Sequence, residues 1–446
     1  MGGITFLIVF LILMALMTVV PQTLRRYHVP RPVAIMLVGI VIGPNAFDLI
    51  RHLNSFLGRG YPTQHLYVVL DALGLLGLIF LMALAGMEIN PRIIKEEKKT
   101  VMLLSVLTFA LPAATGYYIY GLFEPADMIG KWAYASIFAL HSVGILFPLI
   151  RELHLMRTRF GVAVLAAPVF ADIAGLVLLA ICVQLKRHSL PSRIAGSISI
   201  FDHLDPSVLG VWFPVVFTAV IVLFVLLALR MLPNTARRIF VTLHPHDDAR
   251  ITVFFAGLLA VVFVGEMIGV SVIVSAFVGG MAMAGVSALR ERNGELHRKI
   301  EGVGFGFLVP FLFLTIGMKT DMRILVAAWE NAAIAGATLL GLVLSKVFSG
   351  WLAMRMAGFT HLKGLFAGLM TVPQLSATLA AATVALDLEM ISPAFFNAVV
   401  CLSICTSLPV PTLVKLLIAK GNIRFDQPSD AIDGMLPSGG IDEDTI

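Results

Sequence analysis

Long apolar runs alternate with short polar stretches along nearly the whole chain, and most runs approach the roughly 20 residues that a helix needs to cross a bilayer. This pattern predicts about thirteen membrane-spanning helices. The first run has no positive residue before it and is followed by Arg25 and Arg26, which favours a spanning helix over a cleaved signal peptide. The predicted spans are 3–20, 32–50, 65–90, 100–121, 132–150, 161–185, 207–230, 251–268, 271–288, 302–318, 332–354, 363–386 and 394–419.

The basic residues of the loops assign a topology to these spans, because cytoplasmic loops are enriched in lysine and arginine. With the N-terminus outside, the inner loops hold 23 of the 32 basic residues and the outer loops hold 8. This asymmetry predicts a multi-pass protein of a bacterial inner membrane, or its equivalent, with a cytoplasmic C-terminus. An odd number of spans with a long connection at 186–206 suits two halves of opposite orientation.

The composition narrows the class of protein further. Of the 446 residues, 59% are hydrophobic and 13% are charged, which is outside the usual range of soluble domains. We expect a membrane domain over residues 1–420, surrounded by membrane lipid, and a disordered acidic cytoplasmic tail over 421–446. The net charge of +5 is scattered through short loops, so no nucleic-acid partner is expected. The three cysteines lie in apolar runs and indicate neither disulfides nor a zinc site, and no cofactor is predicted.

Several polar residues lie near the middle of predicted spans, where an ionisable group costs at least about 2.5 kcal/mol unless it is paired or hydrated. Taken singly, the two charges could form a structural ion pair, and the other residues could serve contacts between helices. Their similar depth favours one shared site instead. The residues are Asp172 in the sixth span, Lys346 in the eleventh, His141 and Ser142 in the fifth, and Pro373, Gln374, Ser376 and Thr378 in the twelfth.

An acid beside interrupted helices can bind a monovalent cation, and Pro373 and Gly144 permit such breaks in the twelfth and fifth spans. Carboxylate, hydroxyl and freed carbonyl oxygens would then surround the ion at Asp172. A proton competes with a metal ion for the same carboxylate, which is the chemistry of exchange. Lys346 is the predicted charge partner. The expected fold is an all-α polytopic membrane protein with inverted repeats and two broken, crossing helices.

Two further acids are secondary candidates for the ion path. Glu266 lies near a span end between the eighth and ninth helices, and Glu88 lies at the inner end of the third. Capping of a helix or contact with loop water would explain either residue equally well.

Several segments together resemble one known family, the monovalent cation:proton antiporters, including its Kef-like and Na+/H+ exchanger-type members. The stretches that carry this resemblance are FLMALAGMEIN, ALHSVGILFPLIRE followed by VLAAPVFADIAGLVLLAI, GEMIGVSVIVSAFVGGMAMAG and FLVPFLFLTIGMKTDM. The resemblance implies secondary active exchange of Na+ or K+ for H+, with Asp172 at the position of the family's ion-binding aspartate. It places Lys346 on the basic position of the eleventh helix, and it implies a homodimer in which a core bundle moves against a rigid domain.

The chain departs from the family pattern at three places. Ala171 replaces the polar or acidic residue that relatives carry before the aspartate, so a single-carboxylate site that favours electroneutral exchange is expected. The family's PRGE segment is PQLS here, at 373–376, and His141 replaces a small residue. These departures bear on ion selectivity and on pH dependence.

Two other functions compete with antiport. The chain could be a Kef-like gated K+ efflux subunit, or a channel-like protein, that needs a separate cytoplasmic regulatory partner. An intramembrane hydrolase built on His141, Ser142 and Asp172 is disfavoured, because adjacent residues of a helix point about 100° apart and do not face each other. The protein is therefore not expected to be an enzyme.

Overall fold

The structure is a computed structural model of the chain. It describes residues 2–27, 29–56, 63–87, 97–142, 145–146, 149–150, 153, 155, 158–189, 212–243, 247–284, 295–407, 409–410, 413–414 and 417. Glu88, Gly144 and the predicted tail at 421–446 lie outside these residues.

All regular secondary structure in the described ranges is helical. A turn of 3-10 helix, Arg25–Tyr27, follows the first helix, and a π-helical turn, Gly304–Leu308, joins α11 to α12. The α-helices are α1 (Gly2–Leu24), α2 (Arg31–Ile42), α3 (Leu49–Phe56), α4 (Thr63–Met87), α5 (Lys98–Phe123), α6 (Met128–Ala139), α7 (Arg159–Ser189), α8 (Phe213–Leu243), α9 (Asp247–Met267), α10 (Val272–Met283), α11 (Glu295–Val303), α12 (Val309–Lys319), α13 (Met322–Ala327), α14 (Trp329–Met356), α15 (His361–Thr371), α16 (Ser376–Asp387) and α17 (Pro393–Ser407).

The all-helical membrane architecture expected from the sequence is confirmed. Within the described part of the chain, 8 helical segments are long and apolar enough to span a membrane, and the bent pair α15 and α16 makes up to 9. Three shorter apolar helices, α2, α10 and α17, coincide with further predicted spans, and α6 coincides with the first half of the fifth. The total of about thirteen stays a prediction.

Some predicted boundaries are wrong. The apolar pattern predicts a second span that reaches residue 50, but α2 ends at Ile42 because Gly43 turns into an extended conformation (φ −68°, ψ 169°) before Pro44. The short helix α3 follows, which the apolar pattern does not predict. Helix α8, by contrast, is longer than its predicted span. It continues to Leu243 although the apolar run ends near residue 230, because helical hydrogen bonds join backbone groups and do not require apolar side chains.

Packing contacts divide the described helices into two groups. The α4 group contains α1–α4 and α8–α12, and the α5 group contains α5–α7 and α13–α17. The main contacts between the groups are those of α7 with α8 and α10, and of α16 with α4. Each group is therefore packed more extensively within itself than against the other.

The packing also repeats between the two halves of the chain. The α2–α12 contact has a counterpart in α10–α4, and the contacts of α5 with α6 and α7 have counterparts in those of α14 with α15 and α17. These pairs match if α2 corresponds to α10, α4 to α12, α5 to α14, α6 to the α15–α16 pair and α7 to α17. This correspondence agrees with the expected internal repeat, and it places two interrupted segments, after α6 and between α15 and α16, at equivalent positions.

Glycines allow several of these helices to touch through their backbones. A Cβ atom built on Gly280 of α10 would lie 1.9 Å from the carbonyl oxygen of Ala83 in α4, and one on Gly317 of α12 would lie 2.2 Å from that of Met36 in α2. Real Cβ atoms do not approach so closely, so only glycine fits at these two crossings.

We expect Gly280→Ala to destabilise the protein by about 2 kcal/mol or more, because the added methyl forces α10 away from α4. Gly336→Ala in α14 is the matched control: a Cβ there has nothing within 4 Å. That substitution should be neutral or stabilising by up to about 1 kcal/mol, since alanine favours helix over glycine. Thermal unfolding of the purified variants in detergent measures both effects. Equal midpoints for the two variants would contradict the close crossing.

Candidate functional site

The fifth predicted span is interrupted close to its middle. Helix α6 starts at an Asp127 cap, whose side chain accepts a hydrogen bond from the Gly130 N–H, and it ends at Ala139 with Leu140 extended (φ −67°, ψ 163°). The carbonyl of Ser142 then accepts from the Leu146 N–H at 3.1 Å, as in a new helical turn. The expected break in this span is present, and it begins before Gly144, the residue proposed to permit it.

Lys346 of α14 meets the end of α6 from the side. Its side chain is fully buried, and its ammonium nitrogen lies 3.2 Å from the Ala139 carbonyl oxygen, 2.8 Å from the Leu140 carbonyl oxygen and 2.9 Å from His141 Nε2. An ammonium group has three N–H donors, so these acceptors satisfy all of them. The positive charge also lies at a helix C-terminus, where the helix dipole favours it.

Asp172 lies in the interior of α7 and is 5% exposed. The backbone N–H of His141 donates to its Oδ1 at 2.8 Å, and His141 Nδ1 lies 3.0 Å from the same oxygen. Within the described residues no hydrogen bond reaches Oδ2. One carboxylate oxygen is thus held by the interrupted segment after α6, and the other remains available to a ligand.

His141 connects the two charged residues. It is 1% exposed, and its ring contacts Lys346 through Nε2 and Asp172 through Nδ1. The sequence predicted all three residues at similar depth, and the structure brings them into one chain of contacts. Lys346 contacts the histidine, and the described contacts include no direct ion pair between Lys346 and Asp172, so the role of Lys346 as charge partner stays a prediction.

The twelfth predicted span is also interrupted, as expected around Pro373. Helices α15 and α16 are bent by 45° at the non-helical residues 372–375. The break is fixed to α17, because the Gln374 N–H donates to Thr406 Oγ1 at 3.3 Å and Ser407 Oγ donates to the Gln374 carbonyl at 3.4 Å. The Thr378 hydroxyl donates to Gln374 Oε1.

The second break packs near the first. Helix α16 contacts both α6 and α7, although no described hydrogen bond links Gln374, Ser376 or Thr378 to Asp172. Two side-chain atoms in these segments, Ser142 Oγ and Gln374 Nε2, are buried without a hydrogen-bond partner in the described structure. Unpaired buried polar atoms are rare in proteins, and they mark both breaks as places where a ligand or water fits.

The oxygens at this site suit a monovalent cation better than a transition metal. The described residues contain no group of three or more His, Cys, Asp or Glu side chains that could hold a metal ion together. A cation at Asp172 would be held by one carboxylate and by neutral hydroxyl and carbonyl oxygens, which are ligands for hard ions.

Glu266 lies away from this site, in an ion pair that the sequence did not predict. Arg187 Nη2 donates to Glu266 Oε1 at 2.6 Å, and the two side chains are 10% and 20% exposed. Arg187 follows Asp172 by fifteen residues on α7, which is about 22 Å along a helix axis. The pair joins α7 of the α5 group to α9 of the α4 group. The sequence does not indicate this role for Arg187, because the apolar pattern places the residue in an outer loop.

Comparison with known proteins places the chain in a family. The family model described as "Sodium/hydrogen exchanger, transmembrane" matches residues 9–420. The chain belongs to this sodium/hydrogen exchanger family. The match covers nearly all of the predicted membrane domain and confirms the resemblance that the sequence motifs carry.

Individual relatives agree with this assignment. The chain is 31% identical over 415 residues to the probable Na(+)/H(+) antiporter 3 of Methanocaldococcus jannaschii, covering 93% of this chain and 97% of that protein. It is 28% identical to the Na(+)/H(+) antiporter NhaS5 of Synechocystis, again over 93% of this chain but over 55% of that longer protein.

A solved structure shares the fold of this exchanger-family chain. The sodium proton antiporter MjNhaP1 of Methanocaldococcus jannaschii, determined at pH 8, aligns with a TM-score of 0.63 over 94% of this chain and 98% of that one. The identity is 16%, so this likeness supports the architecture alone.

Proposed function

We propose that this protein is a secondary active antiporter that exchanges Na+ or K+ for H+, with Asp172 binding the two ions alternately. The observation that carries the proposal is the buried carboxylate of Asp172, whose Oδ1 is held by His141 while Oδ2 accepts no described hydrogen bond. A buried carboxylate is costly unless a proton or a cation neutralises it, so binding of either ion is favourable and the two compete.

The surrounding residues supply the remaining ligands in this proposal. Ser142 Oγ is buried next to the end of α6 and can offer a neutral oxygen to an ion at Asp172. Gln374 of the break between α15 and α16, and Ser376 and Thr378 of the first turn of α16, would line the site from the facing side. A single carboxylate favours exchange of one proton for one cation, and Lys346 changes that balance if it also releases a proton.

The family and the relatives' names support exchange over the alternative of a gated efflux subunit. Relatives named as Na+/H+ antiporters match over nearly the whole chain. A yeast relative named K(+)/H(+) antiporter 1 is 22% identical over 447 residues, which keeps K+ among the candidate ions. We further propose a homodimer with the N-terminus outside and the C-terminus in the cytoplasm, on the grounds of the family resemblance and of the loop charges.

Flux measurements with the purified chain in liposomes test the function. An internal pH dye reports proton movement when Na+, K+, Li+ or choline is added outside. We expect Na+ or K+, but not choline, to drive protons across, at a rate that an imposed membrane potential changes little if exchange is electroneutral. Cation flux that follows the membrane potential without proton movement would contradict antiport and favour a channel.

A further inference from the structure

We infer that His141 is a positioning residue that transmits the charge of Lys346 to Asp172 and holds the carboxylate in its ion-binding orientation. This inference rests on the proposed function and assigns a separate role to one residue of the site. It follows from three contacts: those of His141 Nε2, His141 Nδ1 and the His141 backbone N–H.

The hydrogen-bond donors along this chain have a fixed direction. The ammonium group of Lys346 has donors only, so His141 Nε2 must be the acceptor of their 2.9 Å contact. A neutral imidazole with an accepting Nε2 carries its proton on Nδ1. That proton is donated to Asp172 Oδ1, 3.0 Å away. The geometry therefore assigns one tautomer to the ring, with the proton on Nδ1. The positive charge of Lys346 at Nε2 polarises the ring and strengthens Nδ1–H as a donor to Asp172.

No described hydrogen bond joins Lys346 directly to Asp172, so the hydrogen-bonded connection between them runs through His141, beside the attraction of the two charges through space. Two of its three N–H donors are taken by the carbonyls of Ala139 and Leu140, and the third by His141. The lysine thus stabilises the end of α6 and polarises the ring, and the ring acts on the carboxylate.

The other acidic and basic residues of the described helices packed around the break lie towards the helix ends, and the buried Tyr134 of α6 forms a hydrogen bond with Thr338 Oγ1 of α14 at 2.7 Å. On α5, the lysines are Lys98 and Lys99 at its start, and the tyrosines lie at its far end. Asp387 is the last residue of α16. On α7 the other charged residues are at its ends, and on α14 they are Glu330 and Arg355, also near the ends.

His141 orients the carboxylate of Asp172 because it donates two hydrogen bonds to one oxygen, Oδ1. Because the backbone and the ring of His141 both donate to Oδ1, rotation of the carboxylate about its Cβ–Cγ bond is restricted. Oδ2 is then presented to the incoming ion in a fixed direction. Pre-organised ligands bind more tightly than mobile ones, because less conformational freedom is lost on binding.

Two isosteric variants separate these roles. The amide of His141→Asn falls near Nδ1 and can still donate to Asp172, but it loses the acceptor for Lys346. The amide of His141→Gln falls near Nε2 and can still accept from Lys346, but it loses the side-chain donor to Asp172 and keeps only the backbone N–H. We expect the Gln variant to raise the apparent KM for the cation about ten-fold, the size of one hydrogen bond to a charged group, and the Asn variant to raise it less.

Lys346→Met tests the first contact of this chain, because it removes the donor to His141 Nε2 and leaves Asp172 and the ring in place. We expect it to raise the apparent KM for the cation, as His141→Asn does. In the double variant the two effects on KM should combine to less than their product, because both substitutions remove the same contact between the lysine and the ring. Effects that multiply fully, or an unchanged KM in a folded His141→Ala variant, would overturn the inference.

The tautomer of His141 can also be measured in the wild-type protein, so this test does not depend on whether the variants fold. In protein labelled with 15N-histidine, the His141 ring signals are assigned by their disappearance in His141→Asn. We expect a protonated Nδ1 and an unprotonated Nε2, whereas the opposite tautomer would refute the chain of hydrogen bonds. Absence of antiport by the wild-type protein would instead contradict the proposed function and leave this tautomer test standing.

Discussion

Asp172→Asn should reduce cation-driven proton movement to the level of liposomes without protein. Asparagine keeps the size of the side chain and can still accept from His141, but it carries no charge and binds no exchangeable proton. Neither a metal ion nor H+ is then held at mid-membrane depth. Dye-monitored flux in reconstituted vesicles measures the loss for every cation that drives the wild-type protein.

The control for this substitution is Asp71→Asn. Asp71 is also an aspartate in a spanning helix, α4, but its side chain is exposed and has no described contact with Lys346 or His141. We expect this variant to retain antiport. Asp172→Asn protein that is monodisperse, unfolds at the wild-type temperature and still exchanges ions at close to the wild-type rate would rule out Asp172 as the shared site.

Breaking the Arg187–Glu266 pair should cause the second large effect, this time on stability. Both side chains are mostly buried, so Arg187→Gln leaves the Glu266 carboxylate unpaired, at a cost of about 3 kcal/mol. Glu266→Gln should cost a similar amount. The double variant should lose less than the sum of the two, because neither charge is then left alone. Thermal unfolding in detergent at fixed ionic strength measures all three variants.

The chain offers a matched pair for comparison. Lys319 and Asp387 also link α12 of the α4 group to α16 of the α5 group, at 2.7 Å, but their side chains are 29% and 49% exposed. Exposed ion pairs contribute about 0–1 kcal/mol, so Lys319→Gln should change the unfolding temperature little. A larger loss in Lys319→Gln than in Arg187→Gln would show that burial does not determine the strength of these links.

Much of the architecture could be predicted because membrane helices have a strong local signal. Apolar runs of sufficient length locate the spans, and a charged residue within such a run stands out, as Asp172 and Lys346 do. The apolar pattern predicts short helices less well. Helix α2 ends early because of the Gly43–Pro44 step, and the amphipathic α3 resembles a loop in composition.

The arrangement of the site could be predicted only in part. Depth along each span placed His141, Asp172 and Lys346 near one another, but depth does not say which pairs touch. The contact of Lys346 with the histidine depends on where α6 stops, and that position is fixed by tertiary contacts with α14. The Arg187–Glu266 pair joins residues 79 positions apart in the chain, and nothing local to either residue indicates the other.

The glycine crossings give the molecule an uneven stiffness. Backbone atoms in contact cannot move apart or slide by changing rotamer, so helices joined in this way respond to force as one body. Every described glycine whose Cβ would come within 3.0 Å of another helix has that neighbour in its own group, as Gly280 has in α4 and Gly350 of α14 has in α15. No described glycine makes such a close approach across the boundary between the α4 group and the α5 group. Elastic deformation of the protein should therefore concentrate at that boundary, where α7 and α16 contact helices of the α4 group. Asp172 lies on α7 and therefore moves with the α5 group.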